Sequence, residues 1–304
     1  MMQVFTHAAC LAHDTGTGHP ESPARLAAVM RALEAAHPDL DWQQAPRATR
    51  GQLLAVHGEA LLASVLEADP EPRIWLDPDT ILSPDSPDAA LRAAGAVVAA
   101  VDAVMGNRTD RAFCAVRPPG HHATATEAMG FCFFNNIAVG ARHAIDRHGL
   151  ERVAIVDFDV HHGNGTQSIF ANEPRVLFAG THQFPLYPGS GGVHERGCGN
   201  IFNVPLQAGA GSEAFRAAWL ERVLPRVEAF RPQLLMVSAG FDGHRRDPMA
   251  QLELETEDYA WVTRELVRIA GHSCEGRVVS SMEGGYDLRA LAESVVAHVD
   301  ALRF

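Results

Sequence analysis

Five apolar runs of strand length punctuate the chain, and each opens directly into a polar or glycine-rich segment. Run 111–116 leads into RPPGHHA (117–123), and run 153–158 into DFDVHHGNG (157–165). Run 175–181 leads into THQFPLYPGSG (181–191), 233–239 into GFDGH (240–244), and 277–282 into EGGYD (283–287). Their Val, Ile, Leu and Phe content suits strands buried on both faces. Helical patterns over 86–105, 135–148, 212–230, 257–270 and 288–301 alternate with them, which predicts an α/β fold with a mostly parallel sheet between helical layers. The first 80 residues are less regular: one clear helix over 23–36, and otherwise chain expected to wrap the sheet edge. Parallel α/β sheets bind their ligands at the carboxyl ends of the strands. All five polar segments are therefore expected to converge on one pocket.

A chain of 304 residues, 47% of them hydrophobic, can bury one large core, and a single domain over 1–304 is expected. The formal net charge is −12, and all 25 basic residues are arginine. Without lysine there can be no lysine nucleophile, Schiff base or P-loop lysine. An acidic surface argues against nucleic acid as a partner. The five cysteines form no CxxC pair, which points to reduced thiols. The N-terminal stretch has no basic region followed by an apolar one, and no apolar run is long enough to span a bilayer. A cytoplasmic protein without a membrane partner is the expectation.

In Asp157-Phe158-Asp159-Val160-His161-His162 residues two apart point the same way at a strand end. Asp159 and His161 can therefore reach one metal ion, with Asp242 at another strand end as third ligand. Two carboxylates and one imidazole leave zinc an open position for water and a substrate carbonyl. The adjacent imidazoles of His121 and His122, on the stiff Pro118-Pro119-Gly120 backbone, suit proton transfer near neutral pH. Tyr286 follows two glycines and can aim a hydroxyl at a developing oxyanion. Phe131 and Tyr187 fit the walls of an apolar channel, although such aromatics more often belong to a core.

With HPESPAR (19–25), RPPGHHA, GFCFFNN (130–136), DFDVHHGNGTQ, PGSG, GFD and EGGY in that order, the chain resembles the histone deacetylases and their bacterial relatives along nearly its whole length. Asn164 resembles the class II branch. The resemblance implies the arginase/deacetylase fold, three layers around a central eight-stranded parallel sheet. It also implies one Zn2+ on Asp159, His161 and Asp242, with His121 hydrogen-bonded to Asp157 and His122 to Asn164. His122 would act as general base and then general acid, and His121 through its charge. Tyr286 would polarise the carbonyl, Phe131 and Tyr187 would wall the tunnel, and the Gly130 carbonyl would accept the substrate amide N–H. A structural K+ near the backbone of Asp157, Asp159 and His161 is a further implication, weakened by Gly180 where relatives commonly carry serine.

The sister arginases need DxHxD and DxD for two manganese ions; here the first pattern breaks at Gly163 and the second at His244. A non-catalytic acyl-lysine reader would be expected to have lost a ligand, a histidine or the tyrosine, and none is missing. Met249 stands where polyamine-deacetylating relatives carry a gatekeeper glutamate. That favours a neutral rim and an acyl-lysine peptide or similar acylated small molecule as substrate, with acetylated polyamines as runner-up. A homo-oligomer is compatible with the sequence.

Overall fold

The computed structural model describes residues 2–304. Its strands are β1 (Gln3–Thr6), β2 (Asp41–Gln44), β3 (Ile74–Trp75), β4 (Ile81–Leu82), β5 (Arg111–Cys114), β6 (Val153–Asp157), β7 (Val176–Gln183), β8 (Ile201–Leu206), β9 (Leu234–Ala239) and β10 (Val278–Met282). Eight of them form one sheet in the order β2-β1-β5-β10-β9-β6-β7-β8, and every pairing in it is parallel. β3 and β4 make a separate antiparallel hairpin. Every residue of β6, β7, β9 and β10 is buried, as a sheet covered on both faces requires. Helix Ser86–Met105 packs with Asn136–His148 in one layer, and Thr256–Ser273, Leu288–Arg303 and Pro23–Ala36 pack together in the other. Among the described residues no helix is long and apolar enough to cross a membrane.

Three strands of the main sheet depart from the sequence expectation, as does the β3–β4 hairpin. The N-terminal region does more than wrap the edge, because β1 and β2 extend the sheet. DWQQ in β2 is polar since an edge strand meets solvent on one side, and it pairs only with β1. β8 closes the opposite edge and carries Pro205, which an edge strand tolerates.

The helix expected over 212–230 is present but widens into a π-helical turn at Trp219–Val223. Pro225 has no N–H to continue a regular ladder, and a wider turn absorbs the missing bond. Trp219 is buried and donates its indole N–H to the Thr181 hydroxyl at 3.0 Å, fixing this helix beneath β7.

Candidate active site

β9 lies between β6 and β10, with β7 beyond β6 and β5 beyond β10, so the five polar segments leave neighbouring strands at the same edge. The ligand atoms of Asp159, His161 and Asp242 lie within 4.8 Å of one another, and all three residues are buried. His161 Nδ1 is 3.1 Å from Asp159 Oδ1 and 3.1 Å from Asp242 Oδ2. Backbone amides hold the carboxylates: Gly284 donates to Asp159 Oδ2 and Val160 to Asp242 Oδ1, both at 2.9 Å. A Cβ at Gly284 would collide with the Asp242 carboxylate, and one at Gly240 with that of Asp159. Glycine is required at both places by close approach rather than by turn geometry.

These donors fit a single cation. One imidazole nitrogen faces two carboxylate oxygens, and one N–H can be directed at only one of them. Two buried carboxylates otherwise short of positive charge are costly. Against the opposing effect of burial, the Asp159 and Asp242 carboxylates pull the His161 pKa up to about 10, which marks the negative charge that a cation in this cluster would neutralise.

His121 and His122 stand beside this cluster with ring centroids 4.0 Å apart. His121 Nδ1 is 3.0 Å from Asp157 Oδ2, and His122 Nδ1 is 2.7 Å from Asn164 Oδ1. Their environments drive them apart. Burial would depress His121, but Asp159 and Asp157 outweigh it and raise its pKa to about 10. Burial, with His121 and His161 alongside, holds His122 well below the ordinary imidazole range. Because Asn164 Oδ1 is an acceptor, His122 carries its proton on Nδ1, and Nε2 is left free to accept.

A cavity of about 190 Å³ opens over His161 and His122, lined also by Gly130, Phe131, Leu186, Tyr187, Tyr286, Met249 and Asp79. Gly130 and Phe131 both have left-handed backbones, φ +56° and +67°. The Phe131 N–H donates to the Thr80 hydroxyl at 3.0 Å, which holds this strained turn and aims the ring at the cavity. Tyr187 meets His122 edge-on at 5.1 Å, and Tyr286 meets Phe131 edge-on at 5.8 Å. Burial keeps the Tyr286 phenol protonated and available as a donor.

All the residues singled out from the sequence for metal, proton transfer and substrate contact thus lie at or just under this cavity. Several that shape it were not singled out. Buried Glu283 accepts from the N–H groups of Gly120 (2.6 Å) and His121 (3.2 Å), fixing the double-histidine loop. Asp247 accepts from the N–H of Tyr286 at 2.6 Å. Arg25 donates to the carbonyls of Gly285 and Glu283 at 2.5 Å each and lies over the Tyr286 ring, 4.8 Å from its centroid. Arg25 and Arg117 share Glu21, and all three side chains are fully buried. Asp79 also lines the cavity, and burial with neighbouring Asp77 raises its pKa to about 6.

The histone deacetylase domain model matches residues 19–302. The chain belongs to the histone deacetylase family. A histone deacetylase-like amidohydrolase from Pseudomonas aeruginosa is 40% identical over 276 residues, 88% of this chain and 73% of the relative. A probable deacetylase from Archaeoglobus fulgidus is 38% identical over 293 residues, 94% and 81% of the two chains. The crystal structure of the HDA15 HD domain matches with a TM-score of 0.94 and 34% identity, over 99% of this chain and 87% of that one. Membership of the histone deacetylase family makes this chain a hydrolase of the deacetylase kind. The eight-stranded parallel sheet is the architecture it shares with the HDA15 domain.

Proposed function

We propose that this deacetylase is zinc-dependent and cleaves the amide of an acylated amine carried on an apolar stem, foremost acetyl-lysine or a similar acyl-lysine. The carrying observation is the Asp159–His161–Asp242 cluster on the floor of a narrow cavity beside a histidine with a free Nε2. Two carboxylates and one imidazole are a catalytic zinc set. Zinc held there would supply Lewis-acid polarisation of the substrate carbonyl.

The chain's own residues do the rest. His122 Nε2 takes the proton of the attacking water and returns it to the leaving amine, while Asn164 keeps its Nδ1–H in place. His121, positive and paired with Asp157, stabilises negative charge nearby. Tyr286 donates its hydroxyl to the oxygen that becomes negative. Phe131 and Tyr187 exclude water from the aliphatic stem, and the Gly130 carbonyl accepts the substrate amide N–H. No potassium ion is needed in this scheme. Gly180 offers no hydroxyl, and a Cβ there would collide with the Asp157 carbonyl oxygen.

Asp79 supports a second reading, in which an acetylated polyamine places its free ammonium at this carboxylate. Side-by-side kinetics on acetyl-lysine peptides, longer acyl-lysines and acetylated polyamines decide between them. The acyl-lysine reading expects the higher kcat/KM on a lysine substrate. A tenfold advantage for polyamines, lost selectively in Asp79→Asn, would replace it with the second. A tightly bound pair of manganese ions in the cavity floor would remove the zinc scheme.

A further inference from the structure

Away from the cavity, a second cluster of metal-ligating side chains joins two helices. Asp102 lies in the last turn of helix Ser86–Met105, and His143 and His148 lie in the last two turns of helix Asn136–His148. Nε2 of His143 and Nε2 of His148 each lie 2.8 Å from the same oxygen, Asp102 Oδ1. The rings are 5.6 Å apart and nearly perpendicular, at 78°. All three ligand atoms fall within 4.8 Å of one another.

We propose that Asp102, His143 and His148 form a second metal site, which binds a zinc-class divalent ion and cross-links the C-terminal ends of the two helices. Tetrahedral zinc with bonds of about 2.0–2.1 Å sets its donor atoms roughly 3.3 Å apart. Each 2.8 Å contact therefore has to open by only about half an ångström to admit the ion. All three side chains are partly exposed, 41% for Asp102, 13% for His143 and 23% for His148, so small rotations can supply that change. The same exposure leaves a fourth position open to water. Both helices end at this spot, and helix C-termini carry partial negative charge that favours a cation. Two imidazoles with one carboxylate select zinc, copper or nickel over magnesium and calcium, which prefer all-oxygen shells.

The site is structural rather than catalytic. Helix Asn136–His148 ends at Gly149, shortly before the first residue of β6, whereas the cavity residues follow the last residue of that strand. The two sites thus sit at opposite ends of β6.

The test is equilibrium dialysis of the chelator-stripped full chain against Zn2+, with bound metal counted and thermal unfolding followed. The His143→Ala/His148→Ala double variant is expected to bind one ion fewer than wild type while keeping its deacetylase turnover. Filling this site at a hundredfold excess over Kd should raise the wild-type Tm by roughly 5 °C, and that increment should be missing from the variant. Equal stoichiometry and an equal zinc-dependent rise in both proteins would reduce the cluster to a hydrogen-bonded trio. Should the double variant fail to fold, Asp102→Asn, which keeps the shape and removes the charge, answers the same question by the same two readouts.

Discussion

His122 Nδ1 lies 2.7 Å from Asn164 Oδ1, and that one contact settles which nitrogen of the imidazole is free to accept a proton. His122→Ala is expected to cost far more in kcat than in KM, because proton transfer matters mainly in the transition state. Asn164→Ala leaves the base in place but loosens its tautomer, and a roughly 10–100-fold fall in kcat is expected, as for other residues that orient a site ligand or base. Steady-state kinetics of both variants check this. Near-normal kcat in His122→Ala would mean that the base lies elsewhere.

Tyr286→Phe should keep the fold and the bound metal and lower kcat about 10²–10³-fold, the usual cost of one oxyanion donor. The measurement is turnover at saturating substrate with metal content verified. A loss under about threefold would take Tyr286 out of the mechanism.

Asp242→Ala is expected to empty the cavity floor, since it removes one of the three proposed ligands and leaves His161 with a single carboxylate. Metal counting should show one ion fewer than wild type, with binding at the proposed His143–His148 site unaffected. A variant that kept its full metal complement would displace Asp242 from the ligand set.

How legible all this was depends on what surrounds each residue. The strands β5, β6, β7, β9 and β10 announce themselves because burial on both faces demands largely apolar runs, although β10 carries Ser280 and Ser281 and β7 ends in Thr181, His182 and Gln183. β1 (QVFT) offers only two apolar residues, β2 is polar, and β8 contains a proline, so none carries that signature. The metal-ligand candidates, the histidine pair and Tyr286 sit in strand-end motifs whose spacing is itself the signal. Arg25, Glu21 and Arg117 were invisible as a network, because sequence does not distinguish a fully buried arginine from an exposed one. In sequence Glu283 is only the lead-in to the glycine pair, although two backbone amides of the histidine loop depend on it. Asp79 lies outside every regular segment that pattern reading can place.

That buried network predicts a stability effect. Arg25→Met strips Glu21 of one of its two arginine partners and leaves the Glu283 and Gly285 carbonyls without their donors. Breaking a buried ion pair by removing one partner costs about 3–5 kcal/mol. Denaturant unfolding should show a loss of that order, with kcat reduced in the fraction still folded because the Tyr286 loop loses its clamp. A change within about 0.5 kcal/mol would mark the arginine as passive.

Acid should destabilise the protein through His298. This imidazole is fully buried between the hydroxyls of Thr263 (2.6 Å) and Ser280 (2.8 Å), and burial lowers its pKa to about 3. An unfolded histidine titrates near 6.5, so below that pH the unfolded state binds the extra proton. The contribution is complete above about pH 6.5 and is lost as pH falls towards 3, at up to about 1.4 kcal/mol per pH unit. His57, lowered by burial to about 4, acts in the same direction. Denaturation curves between pH 7.5 and 5 should be less pH-dependent for His298→Gln. Identical slopes would count against this origin.

The bond from Arg25 to the Gly285 carbonyl joins positions 260 residues apart in the chain. During synthesis the arginine emerges early and waits for almost the whole polypeptide before its partner exists. The tyrosine loop is thus among the last parts to be assembled, and it needs both ends of the protein. Until Gly285 is in place the Arg25 guanidinium lacks this acceptor, and β10, the strand that joins β5 to β9, is missing from the middle of the sheet.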